Sequence, residues 1–301
     1  PLSHPAGKSR IALRALPLSN RRKMRARTPG GPLPGVNGSQ STVSVSKQTE
    51  ISSLSSGCAT EFPNRIQYSK TGVVVGRVAD KVALITGASD PVAQACAQAL
   101  ADEGACIIVV DADLGAAERA AQATKAASER LMWGVKENAS EAAWELLIAK
   151  IEDRFGRLNV LVNGPPVVQR QLISDLSLAD LRALEESNIV EPWLGLKHGV
   201  AAMRRCGGGS IINLSLGLAR VGASGFSANC ATAAGVRVMS QAAALECGQN
   251  ADGIRVNSVL VDHENLANPA EVAAAVVYLA SDESRFMTAG EIAFGPGVVA
   301  A

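Results

Sequence analysis

From Val78 onward, short apolar runs alternate with longer stretches whose apolar positions recur at helical spacing. The pattern predicts strands at 81–85, 106–110, 131–135, 159–162, 210–214, 254–261 and around 291–294. Between them it predicts helices at 92–101, 114–127, 140–155, a long helical region ending near 205, then about 226–247 and 269–279. The strand segments are continuously apolar instead of alternating, as expected when both faces of a sheet are covered. Strands bounded by Gly and Asn and separated by long helices imply a doubly wound α/β domain with a parallel sheet of about seven strands. In that architecture a nucleotide site is expected at the carboxyl ends of the first strands, where helix amino termini can face a pyrophosphate. The residues there are Thr86-Gly87-Ala88-Ser89-Asp90-Pro91-Val92-Ala93, and Asp111 ends the second strand, well placed for a ribose diol.

Composition narrows the classes. The chain has 301 residues and is 47% hydrophobic, enough for a sizeable core. Its longest apolar run, 272–280, is far short of the roughly 18 residues that a spanning helix needs. Cysteines 58, 96, 106, 206, 230 and 247 form no C-x-x-C pair, so no local zinc knuckle or dithiol motif is expected. Reduced, mostly buried thiols are the simplest reading.

Charge divides the chain. Residues 1–77 carry 12 Lys and Arg against two acidic residues, a net +10, whereas the remainder carries 17 against 26, a net −9. Residues 1–49 hold six Arg, three Lys and six Pro, with no acidic residue and no hydrophobic period sustained beyond 11–16. Such a segment builds no core and is expected to be a disordered or extended basic leader. Its Arg-studded piece 8–16 and Ser/Thr-rich run 39–56 fit an organelle-targeting presequence, mitochondrial first and plastid second. The chain opens on Pro, consistent with a start further upstream or a longer leader already trimmed. If the segment is retained, nucleic acid could bind it through backbone phosphates, and only there, since Phe62 and Tyr68 are its only aromatic residues.

From about Gly76 to the end the residues resemble the short-chain dehydrogenase/reductase family. The landmarks are Val82-Ala-Leu-Ile-Thr-Gly-Ala-Ser89, Ile108-Val-Val-Asp111, Phe155-Gly-Arg-Leu-Asn-Val-Leu-Val-Asn163, Asn188, Gly209-Ser-Ile-Ile-Asn-Leu-Ser215, Ile254-Arg-Val-Asn-Ser-Val259 and the helix 271–283. The resemblance implies a Rossmann-like fold and hydride exchange between a nicotinamide and a carbinol or carbonyl. It assigns cofactor contacts to Gly87, Ser89, Val92, Asp111, Val135, Asn163 and Gly164, with Asp111 favouring NAD over NADP.

Several positions depart from the family's pattern. The serine, tyrosine and lysine expected for its chemistry fall on Leu216, Asn229 and Ala233, and only the asparagine, Asn188, matches. A carboxamide does not exchange a proton at neutral pH, so the usual general acid/base is missing. Ser215 adjoins Leu216, but strand neighbours face opposite sides, and a bulge or twist would be needed to bring its hydroxyl into that role. Two cradle glycines are Pro91 and Ala93, the adenine-side acid is Gly134, and the turn after the fourth strand reads Asn163-Gly164-Pro165-Pro166. NAD binding is accordingly expected to be weak or lost. Only eleven residues separate Asn257 from Pro269, too few for the family's substrate lid.

Substitutes for the missing groups are few. His263, in Asp262-His263-Glu264 just past the sixth strand, could titrate near neutrality, although a polar loop replacing the lid is the stronger reading of it. Cys230 has no cation nearby in sequence to make a thiolate. His198 reads as a helix-surface residue, and Trp133, Trp144 and Trp193 as core or interface. The helices near 177–205 and 226–247 resemble the family's dimer-forming pair, so a homo-oligomer or a subunit of a larger assembly is expected. No metal site is expected. The leading functional reading at this level is a catalytically degenerate structural or regulatory subunit. The alternatives are an NAD-dependent oxidoreductase with a non-standard acid/base and an RNA-associated organelle protein.

Overall fold

The computed structural model describes residues 76–137, 139–261 and 268–295, together with the backbone of Leu13–Ala15. By contact density the chain forms two units, and every described residue belongs to the one made of Pro1–Leu18 and Tyr68–Ala301. Its strands are β1 (Leu13–Ala15), β2 (Val82–Thr86), β3 (Cys106–Asp111), β4 (Leu131–Val135), β5 (Val160–Asn163), β6 (Gly209–Leu216), β7 (Ile254–Val261) and β8 (Glu291–Phe294). They form one sheet in the order β1-β4-β3-β2-β5-β6-β7-β8. All pairs from β2 to β8 are parallel, while β1 lies antiparallel on β4 with Arg14 opposite Trp133. The seven parallel strands are those expected from the sequence, and β1 adds an eighth from within the basic leader.

The helices are α1 (Pro91–Asp102), α2 (Leu114–Ala123), α3 (Glu141–Phe155), α4 (Leu178–Glu185), α5 (Glu191–Arg205), α6 (Ser227–Gln249) and α7 (Pro269–Ala280). A π-helical segment, Glu186–Val190, joins α4 to α5. Local chemistry fixes their ends. Asp113, Ser140 and Asn268 cap the amino termini of α2, α3 and α7 with side-chain oxygens, and Gly156 closes α3 at φ +77°.

Two apolar layers sandwich the sheet. On one face Ile85, Ile107, Val109, Val162 and Ile212 pack with α1, α2 and α7. On the other, Leu84, Ile108, Leu161 and Ile211 meet Trp144, Leu147, Ile151, Met203 and Cys247 from α3, α5 and α6. This two-sided burial explains why the strand sequences are uninterrupted apolar runs. The sheet order reverses between β2 and β5, and at such a switch point adjacent loops splay apart and leave a crevice beyond the strand ends.

Candidate functional site

A cleft of about 680 Å³ opens at that reversal. One side is the β2–α1 loop from Thr86 to Val92. The floor is formed by the ends of β5 and β6, and the far rim by Val261 and Pro269. Close backbone approach shapes its centre. Gly87 sits at φ +71°, a conformation that costs other residues strain. Gly164 lies so near β2 that a Cβ would stand 2.2 Å from the Thr86 carbonyl oxygen, and its amide donates to Thr86 Oγ1 at 2.9 Å.

Asp111 is fixed by two backbone donors, Ser89 N at 2.8 Å to one oxygen and Asp113 N at 3.0 Å to the other. Its orientation is thereby set while lone pairs remain for a vicinal diol. Beneath the cleft runs a buried polar chain in which Asn163 Nδ2 donates to Asn213 Oδ1 at 2.6 Å and Asn213 Nδ2 to Ser240 Oγ at 2.7 Å. Ser240 Oγ in turn donates to the Val236 carbonyl at 2.6 Å. Asn163 Oδ1 is buried without a hydrogen-bond partner among the described residues, because Gly195 packs against it.

The assigned cofactor contacts Gly87, Ser89, Val92, Asp111, Asn163 and Gly164 all line this cleft. Val135 does not, and its neighbour Lys136 supplies that part of the wall. Of the positions tied to catalysis, Asn188, Leu216 and Ala233 line the cleft, whereas Asn229 lies behind it with no exposed surface. The Asn229 carboxamide accepts from Gln169 N at 3.0 Å and donates to the Val167 carbonyl at 2.7 Å. Asn188 grips the same residue, accepting from Val167 N at 2.8 Å and donating to its carbonyl at 2.9 Å. Two asparagines therefore clamp the segment leaving β5, and both of their amides are occupied there.

Ser215 and its neighbour Leu216 both line the cleft, and β6 pairs with β7 in unbroken register through Leu216. Ser215 is 2% exposed, and its hydroxyl has no hydrogen-bond partner among the described residues.

Other residues gave little sign of their position in the sequence. Lys136 is 2% exposed, forms an ion pair with Glu191 at the start of α5, and stands 4.9 Å from the Trp144 ring. Burial pulls its pKa below the ordinary lysine value, with Glu191 acting in the opposite sense. His198 is half-buried and stacked on the other side of the cluster against Trp144, with ring centroids 6.4 Å apart, which corrects the helix-surface reading. Burial lowers its pKa. Trp133 and Trp144 are core and Trp193 is exposed. Cys230 packs beside Phe226 outside the cleft wall. Asp262, His263 and Glu264 lie outside the described residues. No group of three or more possible metal ligands occurs among those described. No described helix is long and apolar enough to cross a membrane.

Known proteins resemble this chain in sequence and fold. The profile of the family described as short chain dehydrogenase matches residues 81–262. Trans-4-hydroxycyclohexanecarboxylate dehydrogenase of Sinomonas cyclohexanicum is 32% identical over 75% of this chain and 96% of its own. The 3-beta-hydroxysteroid dehydrogenase of Comamonas testosteroni is 30% identical over 73% and 96%. The crystal structure of a short chain dehydrogenase from Mycobacterium smegmatis superimposes with a TM-score of 0.67 at 26% identity, covering 73% of this chain and 94% of that one. These relatives overturn the expectation of a catalytically degenerate structural or regulatory subunit. They are named as dehydrogenases, the likeness spans nearly their whole length, and the cleft at the switch point is open instead of filled.

Proposed function

The chain belongs to the short-chain dehydrogenase family, and from that premise we propose that it is an NAD-linked oxidoreductase acting on a hydroxyl or carbonyl group through a non-standard acid/base. The observation that carries this reading is the open cleft at the sheet reversal, with Asp111 anchored at one end and the unpartnered Ser215 hydroxyl in its wall. A nicotinamide dinucleotide, when bound, supplies the acceptor or donor of the hydride. The nucleoside end of such a cofactor fits what is present: Gly87 and Gly164 keep the walls free of side chains, and Asp111 offers acceptors to ribose hydroxyls. Ser215 donates to the substrate oxygen, taking the role that Leu216 lacks. The apolar wall of Val167, Val168, Leu216 and Val261 suits a cyclic secondary alcohol, such as the hydroxysteroid and hydroxycyclohexanecarboxylate in the relatives' names.

In the oxidative direction the carbinol C–H leaves as hydride and the hydroxyl proton passes to a base on the protein, giving the ketone. Asn229 cannot take that proton. His263, which follows the cleft-lining Val261 by two residues in sequence, is our first choice for that base.

The test is calorimetric titration of the full chain with NADH and NADPH, followed by turnover on 4-hydroxycyclohexanecarboxylate and its ketone. NADH should bind at least about tenfold more tightly than NADPH, because the Asp111 carboxylate repels a 2′-phosphate. Slow turnover that disappears in His263→Ala is the expected result. Absence of both binding and turnover would sink the reading.

Self-association belongs to the same proposal. Trp193 of α5 and Val238 and Leu245 of α6 are exposed apolar residues beside the shallow groove between these helices. We propose that a second copy covers them.

A further inference from the structure

A dinucleotide must lay its diphosphate where the first helix of the fold begins, because free backbone amides and the helix dipole favour an anion there. In this chain that place is taken. Asp90 caps α1, and its Oδ1 accepts from Val92 N at 2.7 Å. Pro91, at the first helical position, has no N–H. Gln94 N donates to the Asp90 carbonyl at 3.0 Å. Of the first turn's amides at most that of Ala93 remains for a phosphate, and a carboxylate stands beside it.

The helix terminus is not isolated from ligand chemistry. Asp90, Pro91 and Val92 line the same cleft as Ser215, whose hydroxyl, on a residue only 2% exposed, has no partner among the described residues. An unpartnered hydroxyl on a cleft-lining residue marks a point where a ligand can complete the bonding. The nucleoside end is likewise prepared by Asp111, whose carboxylate is oriented by Ser89 N and Asp113 N.

We propose that Asp90 acts as a built-in anion in the diphosphate position, so that the cleft holds its dinucleotide by the nucleoside ends and discriminates against the charge of the bridge. This rests on the dinucleotide reading above and deepens it. The weak cofactor affinity anticipated from the missing glycines then has a specific electrostatic source, one that a single substitution removes without losing the helix cap.

The test compares adenosine, ADP and NADH by calorimetric titration against the full-length wild type, Asp90→Ser and Asp90→Asn, with melting temperatures recorded without ligand. Ser and Asn cap helices about as well as Asp, so the three proteins should melt together. In the wild type ADP should bind no more tightly than adenosine. In both variants adenosine should be unchanged, while ADP and NADH tighten by about tenfold or more, as expected when a doubly charged group no longer faces a carboxylate a few ångströms away. Wild-type ADP binding far tighter than adenosine, equal shifts for adenosine and ADP, or unchanged ADP and NADH affinities would each overturn the role of Asp90 while leaving the dinucleotide reading intact. No binding of any ligand to any of the three proteins would overturn both.

Discussion

Replacing Glu191 with alanine should destabilise the domain by about 3–5 kcal/mol in urea denaturation, because it leaves the Lys136 ammonium charged and unpaired in the interior. Lys136 is 2% exposed and Glu191 12%, so water provides little compensation. Glu191 also accepts from Ala139 N at 2.9 Å, which adds an orphaned amide to the loss. The double variant Lys136→Met/Glu191→Leu removes both charges and should recover most of the stability. A loss below about 1 kcal/mol in Glu191→Ala would show that the lysine reaches solvent.

The pair also sets a pH dependence whose sign follows from linkage. Burial lowers the Lys136 pKa in the folded protein, so the unfolded chain holds that proton more tightly and protonation favours unfolding. Wild-type stability should gain relative to the double variant as pH climbs from the depressed value toward the ordinary lysine range. A difference that stays flat over that window would contradict the buried charge.

Gly164→Ala is expected to cost about 3 kcal/mol, read as a fall in melting temperature of roughly 6–12 °C for a domain of this size. The added Cβ would lie 2.2 Å from the Thr86 carbonyl oxygen, 2.9 Å from its carbon and 3.2 Å from Gly87 Cα. All three are backbone atoms at the end of the central strand, and none can rotate away. Gly222 has no atom within 4 Å of its notional Cβ, so Gly222→Ala is the control and should be silent. Equal melting of the two variants would remove the close approach that narrows the centre of the cleft.

Most of the fold was legible because its signal is local. The strands at 131–135 and 254–261 fall where their apolar runs place them. The misses have long-range or subtle causes. The helix expected to reach 127 stops at Ala123, since Thr124 turns its hydroxyl back onto the Ala120 carbonyl at 2.8 Å and leaves helical geometry. β6 runs two residues past its expected end because β7 pairs with it along its full length. β1 is three residues in a basic segment whose partner, β4, lies far along the chain, and the short apolar period at 11–16 does not by itself distinguish a strand.

The site divides similarly. Gly87 and Asp111 stand at fixed places relative to strand ends and could be read directly, and Asn163 through the family resemblance. Lys136 looks like a solvated residue after a strand, and only Glu191 and Trp144, remote in sequence, make it a buried charge. The resemblance placed Asn229 at the family's tyrosine position, and its commitment to Val167 and Gln169 is visible only in three dimensions. The degenerate reading rested on the lost serine, tyrosine and lysine positions, the eroded cradle and the short lid segment, whereas the likeness to named dehydrogenases extends over nearly the whole length of those relatives.

The double grip on Val167 has a dynamic corollary. Its N–H and C=O are both held by side chains, the carbonyl by two carboxamides at once. The entropy of ordering that wall is therefore lost when the protein folds, not when a guest arrives. One jaw of the cleft is fixed in advance, and any closing stroke belongs to the opposite one. Amide exchange at Val167 and Gln169 then belongs with the slow exchange of the sheet instead of the fast exchange typical of loops.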